Sequence, residues 1–501
     1  MPGGREPSRF KNEPNRVGFF FGRICYNAGF TLSITQIEKE LNMDSKTYAA
    51  RRATLRNQVG DGAILLVGQD DASRNYPANT YPFRQDSHFL YYVGTNLPGM
   101  AALLLPDGDE ILFGPGEDPD DLVWHGPHPI LADHAKAAGI QRTEETGQLK
   151  SSLQGLKNKG LSIHFLPPYR GKRVLLLSDL LSATPGEIAT GASEILARAV
   201  VEQRSVKTEA EVSEIEEALK ISAEMYAVAM KATRSGIKES EIAGAMQGVA
   251  LKSDRAQSFL PIVSVRGEVL HNTSYENTLQ NGDLLLIDSG TESQHFYASD
   301  ITRTIPVSGR YTDVQKDVYQ IVLSAQQAAI DAASPALSNR DLHLIAAKTI
   351  ATGLTDIGLM SGDPEEAVQS GAHALFFPHG LGHMLGLDVH DMEDLGDVVG
   401  YGKGESRSKQ FGLSFLRLAK KLLPGYVLTF EPGIYFVPAL MDRWAKEQKH
   451  SNFINYSKLE AFRSFGGIRI EDDILITQGG CRVLGTPIPK SIDEVENAMA
   501  R

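Results

Sequence analysis

The chain has 501 residues, 42% of them apolar and 22% charged, and 50 basic against 62 acidic side chains leave a formal net charge of −12. That length allows roughly two to four domains, and the composition excludes a mainly disordered or fibrous protein. The acidic balance argues against a nucleic-acid partner, which would need a basic stripe that the sequence lacks. Two cysteines, Cys25 and Cys481, cannot staple a chain of this size or build a thiolate-rich zinc site. No apolar run reaches the roughly 18 residues of a membrane helix, so no membrane partner is expected and the expected location is cytoplasmic.

Taken in chain order, residues 1–42 read as an extension outside the fold. Arg5, Arg9, Lys11 and Arg16 precede the short apolar run from Val17 to Gly22, which Arg23 cuts off. An export signal needs an apolar stretch of about 7–15 residues. Asp44 or Ser45 can cap a helix whose apolar positions run from Tyr48 to Val59. Ala63 to Val67 reads as a buried strand, and Ala101 to Leu105 with Glu110 to Phe113 as a hairpin. Further strands are predicted at Leu161 to Leu166 and at Arg173 to Leu177. Pro185 to Gly191 is Gly- and Ala-rich and reads as a linker ending near Arg204.

Thr208 and Glu211 form a capping box that opens a long amphipathic helix, stopped by Gly236. A second helix is predicted from about Ser240 to Leu251. Two strand-rich regions, 258–308 and 426–480, flank helices near 313–333 and 340–353. The expected fold class is therefore α+β for residues 205–501, preceded by a smaller α/β domain at 43–204.

Three histidines, His379, His383 and His390, fall within twelve residues of a Gly- and Pro-punctuated stretch that cannot be a helical metal face. Three apolar strands end in acids: Asp288 after Leu284 to Ile287, Glu431 after Val427 to Phe430, and Glu471 after Gly467 to Ile470. Asp300 follows Asp288 by twelve residues. A strand-end acid alone is most simply the start of a turn. Several of them with a histidine cluster suit hard divalent cations, because carboxylate and imidazole are present and thiolate is not. No His-Glu-x-x-His, Walker or Gly-x-Ser-x-Gly motif competes with this reading.

These segments resemble the creatinase/aminopeptidase, or pita-bread, metallopeptidases, specifically the proline-specific branch of aminopeptidase P and prolidase. The resemblance covers roughly 45–495, with its five segments in the family's order. It implies a C-terminal pita-bread domain and a dinuclear centre held by Asp288, Asp300, His383, Glu431 and Glu471. Four carboxylates and a neutral imidazole would balance two divalent ions, with Mn²⁺ the family's habit. It further implies His271 and His390 as donors to the reacting carbonyl, and Glu431 as the proton relay. His379, Arg417, Tyr435 and Arg469 would line the substrate side. One departure from the family is an extra residue between Asp288 and Asp300, expected in the hairpin and affecting Gln294 to Phe296.

The implied activity is hydrolysis of an N-terminal Xaa-Pro bond through a metal-bridging hydroxide, on peptides with proline second. A homo-oligomer, dimer or tetramer, is also implied; Trp124 falls where relatives place an aromatic that reaches a neighbouring active site, although core packing explains a lone Trp equally well. The alternative is an Xaa-Pro dipeptidase, for which Arg417, fourteen residues before Glu431, would hold the dipeptide carboxylate. A non-catalytic pita-bread binding module is the alternative of another class. For lone histidines such as His88, His164 and His343, a satisfied structural role is expected.

Overall fold

In the computed structural model, which describes residues 43–116, 121–124, 126 and 129–500, the Asp44 carboxylate accepts the Thr47 backbone N–H at 2.9 Å and starts the helix Ser45–Val59. The expected extension at 1–42, Cys25 included, lies outside the described residues. After the helix comes a five-stranded mixed sheet in the order β4-β3-β2-β1-β5. Its strands are β1 (Ala63–Val67), β2 (Ala101–Leu104), β3 (Glu110–Gly114), β4 (Arg142–Glu145) and β5 (Ile163–His164). Every residue of β1 is buried, as a central strand covered on both faces requires. Alternation divides them: Ile64, Leu66, Ala102 and Leu104 face the main core, while Ala63, Leu65, Ala101 and Leu103 face a separate one.

That separate core corrects one expectation. Arg173 to Leu177 is not a strand but part of the helix Gly171–Leu181, whose buried positions Leu177, Leu180 and Leu181 follow a helical period. A short apolar run cannot be told from a helix segment by periodicity alone. Burying those leucines against the sheet stabilises by roughly 1.5–3 kcal/mol each, which outweighs strand propensity. The expected linker is also helical. Thr184 and Glu187 form a capping box for Pro185–Thr190, and Ser193 caps Glu194–Ser205.

Beyond it the long helix Glu209–Ala232 opens on the Thr208–Glu211 capping box and ends before Thr233, three residues short of Gly236. Helix Glu239–Lys252 follows. Three small antiparallel sheets carry the rest: β6 (Ile262–Ser264), β7 (Leu284–Ser289) and β8 (Ile301–Pro306); β9 (Val427–Phe430), β12 (Asp472–Ile476) and β13 (Cys481–Val483); and β10 (Gly433–Tyr435) with β11 (Gly467–Arg469). Helices Asp313–Ala332 and Asn339–Asp356 pack on one another outside them. The main core runs without a break from Tyr48 to Ile474, so residues 43–500 form one unit. Among the described residues no helix is long and apolar enough to cross a membrane.

Two glycines allow the strand ends to meet. A side chain on Gly290 would fall 1.8 Å from the Ser299 carbonyl oxygen, and one on Gly382 the same distance from that of Thr429. The first closes the β7–β8 hairpin. Its turn holds Phe296 at φ +67°, while the Ser293 N–H donates to the Tyr297 carbonyl at 2.8 Å. The second lets the chain from Leu381 run beside β9: the Thr429 N–H donates to the His383 carbonyl at 3.0 Å and the Glu431 N–H to that of Leu381 at 2.7 Å.

Candidate metal centre and active site

The strand ends converge on a cavity of about 630 Å³ lined by Asp288, Asp300, His383, Glu431 and Glu471. Register makes the meeting. Asp288 pairs with Thr302 across β7 and β8, and Thr302 bridges Glu471 from the neighbouring strands. Ligand atoms of Asp300, His383 and Glu471 all lie within 4.8 Å of one another. His383 Nε2 stands 3.5 Å from Asp300 Oδ2 and 3.8 Å from Glu431 Oε1.

Hydrogen bonds aim these groups. His383 Nδ1 can only donate to the Met384 carbonyl, at 3.2 Å, which leaves the Nε2 lone pair facing the carboxylates. Burial lowers the His383 pKa to about 4, so the ring is neutral and ligand-ready near pH 7. The Thr302 hydroxyl donates to Glu471 Oε2 at 2.7 Å, and Arg469 Nη2 to Asp288 Oδ2 at 2.6 Å. The outward oxygens have nothing: Asp288 Oδ1, Asp300 Oδ1 and Glu471 Oε1 are buried without a hydrogen-bond partner among the described residues.

Unpartnered buried carboxylates are costly, and their protonation shows it. Burial, then neighbouring acids, hold Asp300 and Glu471 well above the usual carboxylate range. Burial drives Glu431 up to about 8, with Asp288 adding to it and Arg469 and Arg417 opposing. Such a cluster cannot be fully ionised without cations, and oxygen-rich ligation fits hard divalent ions. The donor set therefore fits the implied metal centre.

Around the acids sit the remaining candidates. His271, His379, His390, Arg417 and Arg469 line the same cavity. The His390 ring centroid is 4.2 Å from that of His383, and burial with His383, Arg417 and His271 pushes its pKa down to about 2. Burial also lowers His271. His379 Nδ1 donates to the Gly380 carbonyl at 2.8 Å, so its Nε2 accepts the Tyr435 hydroxyl at 2.8 Å. Tyr435 oxygen in turn accepts Arg469 Nη1 at 2.9 Å. Tyr435 itself is fully buried behind the wall, so it acts on the cavity through Arg469 and His379 and not by touching a substrate.

Several residues here were not read from the sequence. Asp473 accepts the Asp300 N–H at 3.1 Å through Oδ2, and its other oxygen is unpartnered among the described residues. The acid run Glu471-Asp472-Asp473 was its available signal. Arg407, Phe411 and Phe415 also line the cavity, from a loop with no periodic pattern. Glu393, which accepts from Arg417, had no sequence signal. Elsewhere His88 pairs with Asp394 at 3.0 Å and His164 with Ser193 at 2.8 Å, whereas both His343 nitrogens are buried without partners among the described residues.

With this geometry in hand, sequence comparison matches residues 213–478 to metallopeptidase family M24, and 48–164 to the aminopeptidase P N-terminal domain. The chain belongs to metallopeptidase family M24. It is 32% identical over 463 residues to a human Xaa-Pro dipeptidase, covering 88% of this chain and 90% of that one. It is also 32% identical to a probable Xaa-Pro aminopeptidase of Sordaria macrospora, covering 92% and 98%. Among solved structures it is similar to the aminopeptidase PepP of Pseudomonas aeruginosa, with a TM-score of 0.76, 28% identity, and 92% and 98% covered. The M24 chain thus has a pita-bread catalytic part preceded by an aminopeptidase P-type domain.

Proposed function

We propose that this M24 peptidase hydrolyses the bond between an N-terminal residue and a proline in second position. The carrying observation is the convergence of Asp288, Asp300, His383, Glu431 and Glu471 with two neutral histidines on one cavity. Relatives named Xaa-Pro aminopeptidase and Xaa-Pro dipeptidase support the proline specificity. Two divalent ions, Mn²⁺ as the proposed pair, would supply an activated water and polarise the carbonyl when bound.

The protein's own groups do the rest. His383 offers Nε2, and the four carboxylates offer the oxygens left free by Arg469 and Thr302. His271 and His390, kept neutral by burial, donate N–H to the carbonyl oxygen as negative charge develops there. Glu431 carries a proton to the proline nitrogen, which must be protonated to leave. Arg469 and Tyr435 fix His379 against the pocket wall where the proline ring would sit. A proline amide has no N–H to present, so a dedicated pocket would replace strand-like recognition.

An aminopeptidase acting on peptides longer than two residues is the preferred form. The dipeptidase reading is supported by Arg417 on the cavity wall and by the relatives named Xaa-Pro dipeptidase. We further propose a cytoplasmic homo-oligomer, supported by the scarcity of cysteine and by Trp124, which is 78% exposed. A cleavage panel of X–Pro–Y and X–Ala–Y peptides with Mn²⁺ and with chelator is the test. Cleavage should require metal and proline; equal turnover of the alanine series, or turnover in chelator, would overturn the reading.

A further inference from the structure

Arg417, a cation on the cavity wall, is already engaged. Arg417 Nη1 donates to Glu393 Oε2. Arg417 lines the main cavity, Glu393 lines an adjoining one of about 360 Å³, and Val389 and His390 wall both. Glu393 thus reaches through the partition to its partner. Its other oxygen, Oε1, is buried with no partner among the described residues, so Arg417 is what holds this carboxylate. The His390 Nδ1 is 3.6 Å away, beyond hydrogen-bond length.

We propose that Glu393 selects substrate length: by occupying the Arg417 guanidinium it disfavours peptides that end at the proline and favours those that continue past it. The inference rests on the Xaa-Pro reading above. A dipeptide brings a free carboxylate to Arg417. It must either displace Glu393, stranding a half-buried carboxylate without its cation, or settle beside it as a like charge. A guanidinium has donors enough for two carboxylates, but the trio would then carry −1 where the existing pair is neutral. A longer peptide presents an amide there, which leaves the ion pair intact. The cavity is also lined by Leu260 and Phe415, 63% and 52% exposed, an apolar surface for residues beyond the proline. Specificity here comes from a repulsive element as much as from an attractive one.

The test uses the full-length, Mn²⁺-loaded enzyme with Ala-Pro, its C-terminal amide Ala-Pro-NH₂, and Ala-Pro-Ala. The native enzyme should prefer the amide and the tripeptide to the free acid. Glu393→Gln keeps the shape and removes the charge, and should lower KM for Ala-Pro by about tenfold, the scale of one like-charge contact. KM for the amide and kcat for all three should change little, which also shows that the variant is folded. Adding Arg417→Ala to it should abolish the gain. Equal acid-to-amide ratios in native enzyme and variant, with all three cleaved, would overturn the proposal alone. A uniform fall in kcat would overturn it in favour of a role in positioning His390. Failure of the native enzyme on all three would overturn the Xaa-Pro reading and the proposal with it.

Discussion

Two buried clusters of charge, around Asp391 and around Asp300, are built on opposite principles. Around Asp391, cations and acids alternate. Arg204 donates to Asp391 at 2.6 Å, Lys207 donates to its other oxygen at 3.0 Å, and Arg84 pairs with Glu292 at 2.5 Å. The Asp391 bonds tie Arg204 and Lys207 to the loop that carries His390, and the Arg84 pair ties the N-terminal residues to the β7–β8 hairpin. Burial alone would raise Asp391, but Arg204 and Lys207 hold it down at about 2. Around Asp300 the acids crowd together, their outward oxygens unpartnered and Glu431 up at about 8. The first cluster is complete as it stands and serves the fold; the second is incomplete and awaits cations. Unneutralised buried charge, and not buried charge as such, marks the reactive site.

The contrast can be broken most sharply at Glu431. Glu431→Gln should cost at least about 10²-fold in turnover, the low end for lost acid–base catalysis. The metal-free variant should be no less stable than the native chain, since Gln keeps the shape of a side chain whose charged form burial already disfavours. Steady-state kinetics and denaturant unfolding in chelator measure the two effects; near-normal turnover at full metal occupancy would sink the assignment.

Asp391→Asn should show the reverse profile. It takes the shared counter-ion from buried Lys207 and leaves buried Arg204 with the more exposed Asp388 at 3.4 Å, for a loss of roughly 3 kcal/mol in unfolding free energy. The denaturant midpoint should fall while metal binding, followed by calorimetry, survives. Lost metal affinity with an unchanged midpoint would mean that the two clusters are one.

A smaller effect separates them by pH. The native pKa of Asp391 lies below its unfolded value of about 3.9, so its contribution is present above that pH and lost as pH falls toward 2. Glu431 lies above its unfolded value of about 4.3, so its contribution to the metal-free protein declines as pH rises from there to about 8. Chelated enzyme should therefore lose stability toward alkaline pH, and Mn²⁺ should restore it most at pH 8. Unfolding midpoints across pH, with and without Mn²⁺, decide this; a flat metal-free profile above pH 4 would contradict it.

Much of this was legible beforehand, for local reasons. Capping at Thr208 with Glu211, the continuous apolar run of β1 and the strands ending in Asp288 and Glu431 depend on residues a few positions apart. No single acid announced itself, since each could simply start a turn; their number beside a histidine cluster pointed to a metal. Arg173 to Leu177 misled because a four- or five-residue apolar run has no period to read, and only its docking on the sheet made it helical. Tyr435 read as a wall residue, yet its hydroxyl is spent between Arg469 and His379.

The sequence by itself determined the elements, the donor chemistry and, through order and spacing, the family resemblance, since all three are written in short-range pattern. Tertiary structure alone decided which charges are paired. Thr302 on Glu471, Arg469 on Asp288 and Glu393 on Arg417 join residues 24 to 181 positions apart. Whether an acid is a completed ion pair or an open ligand depends on that distant partner and on the water excluded between them, and no local pattern encodes either.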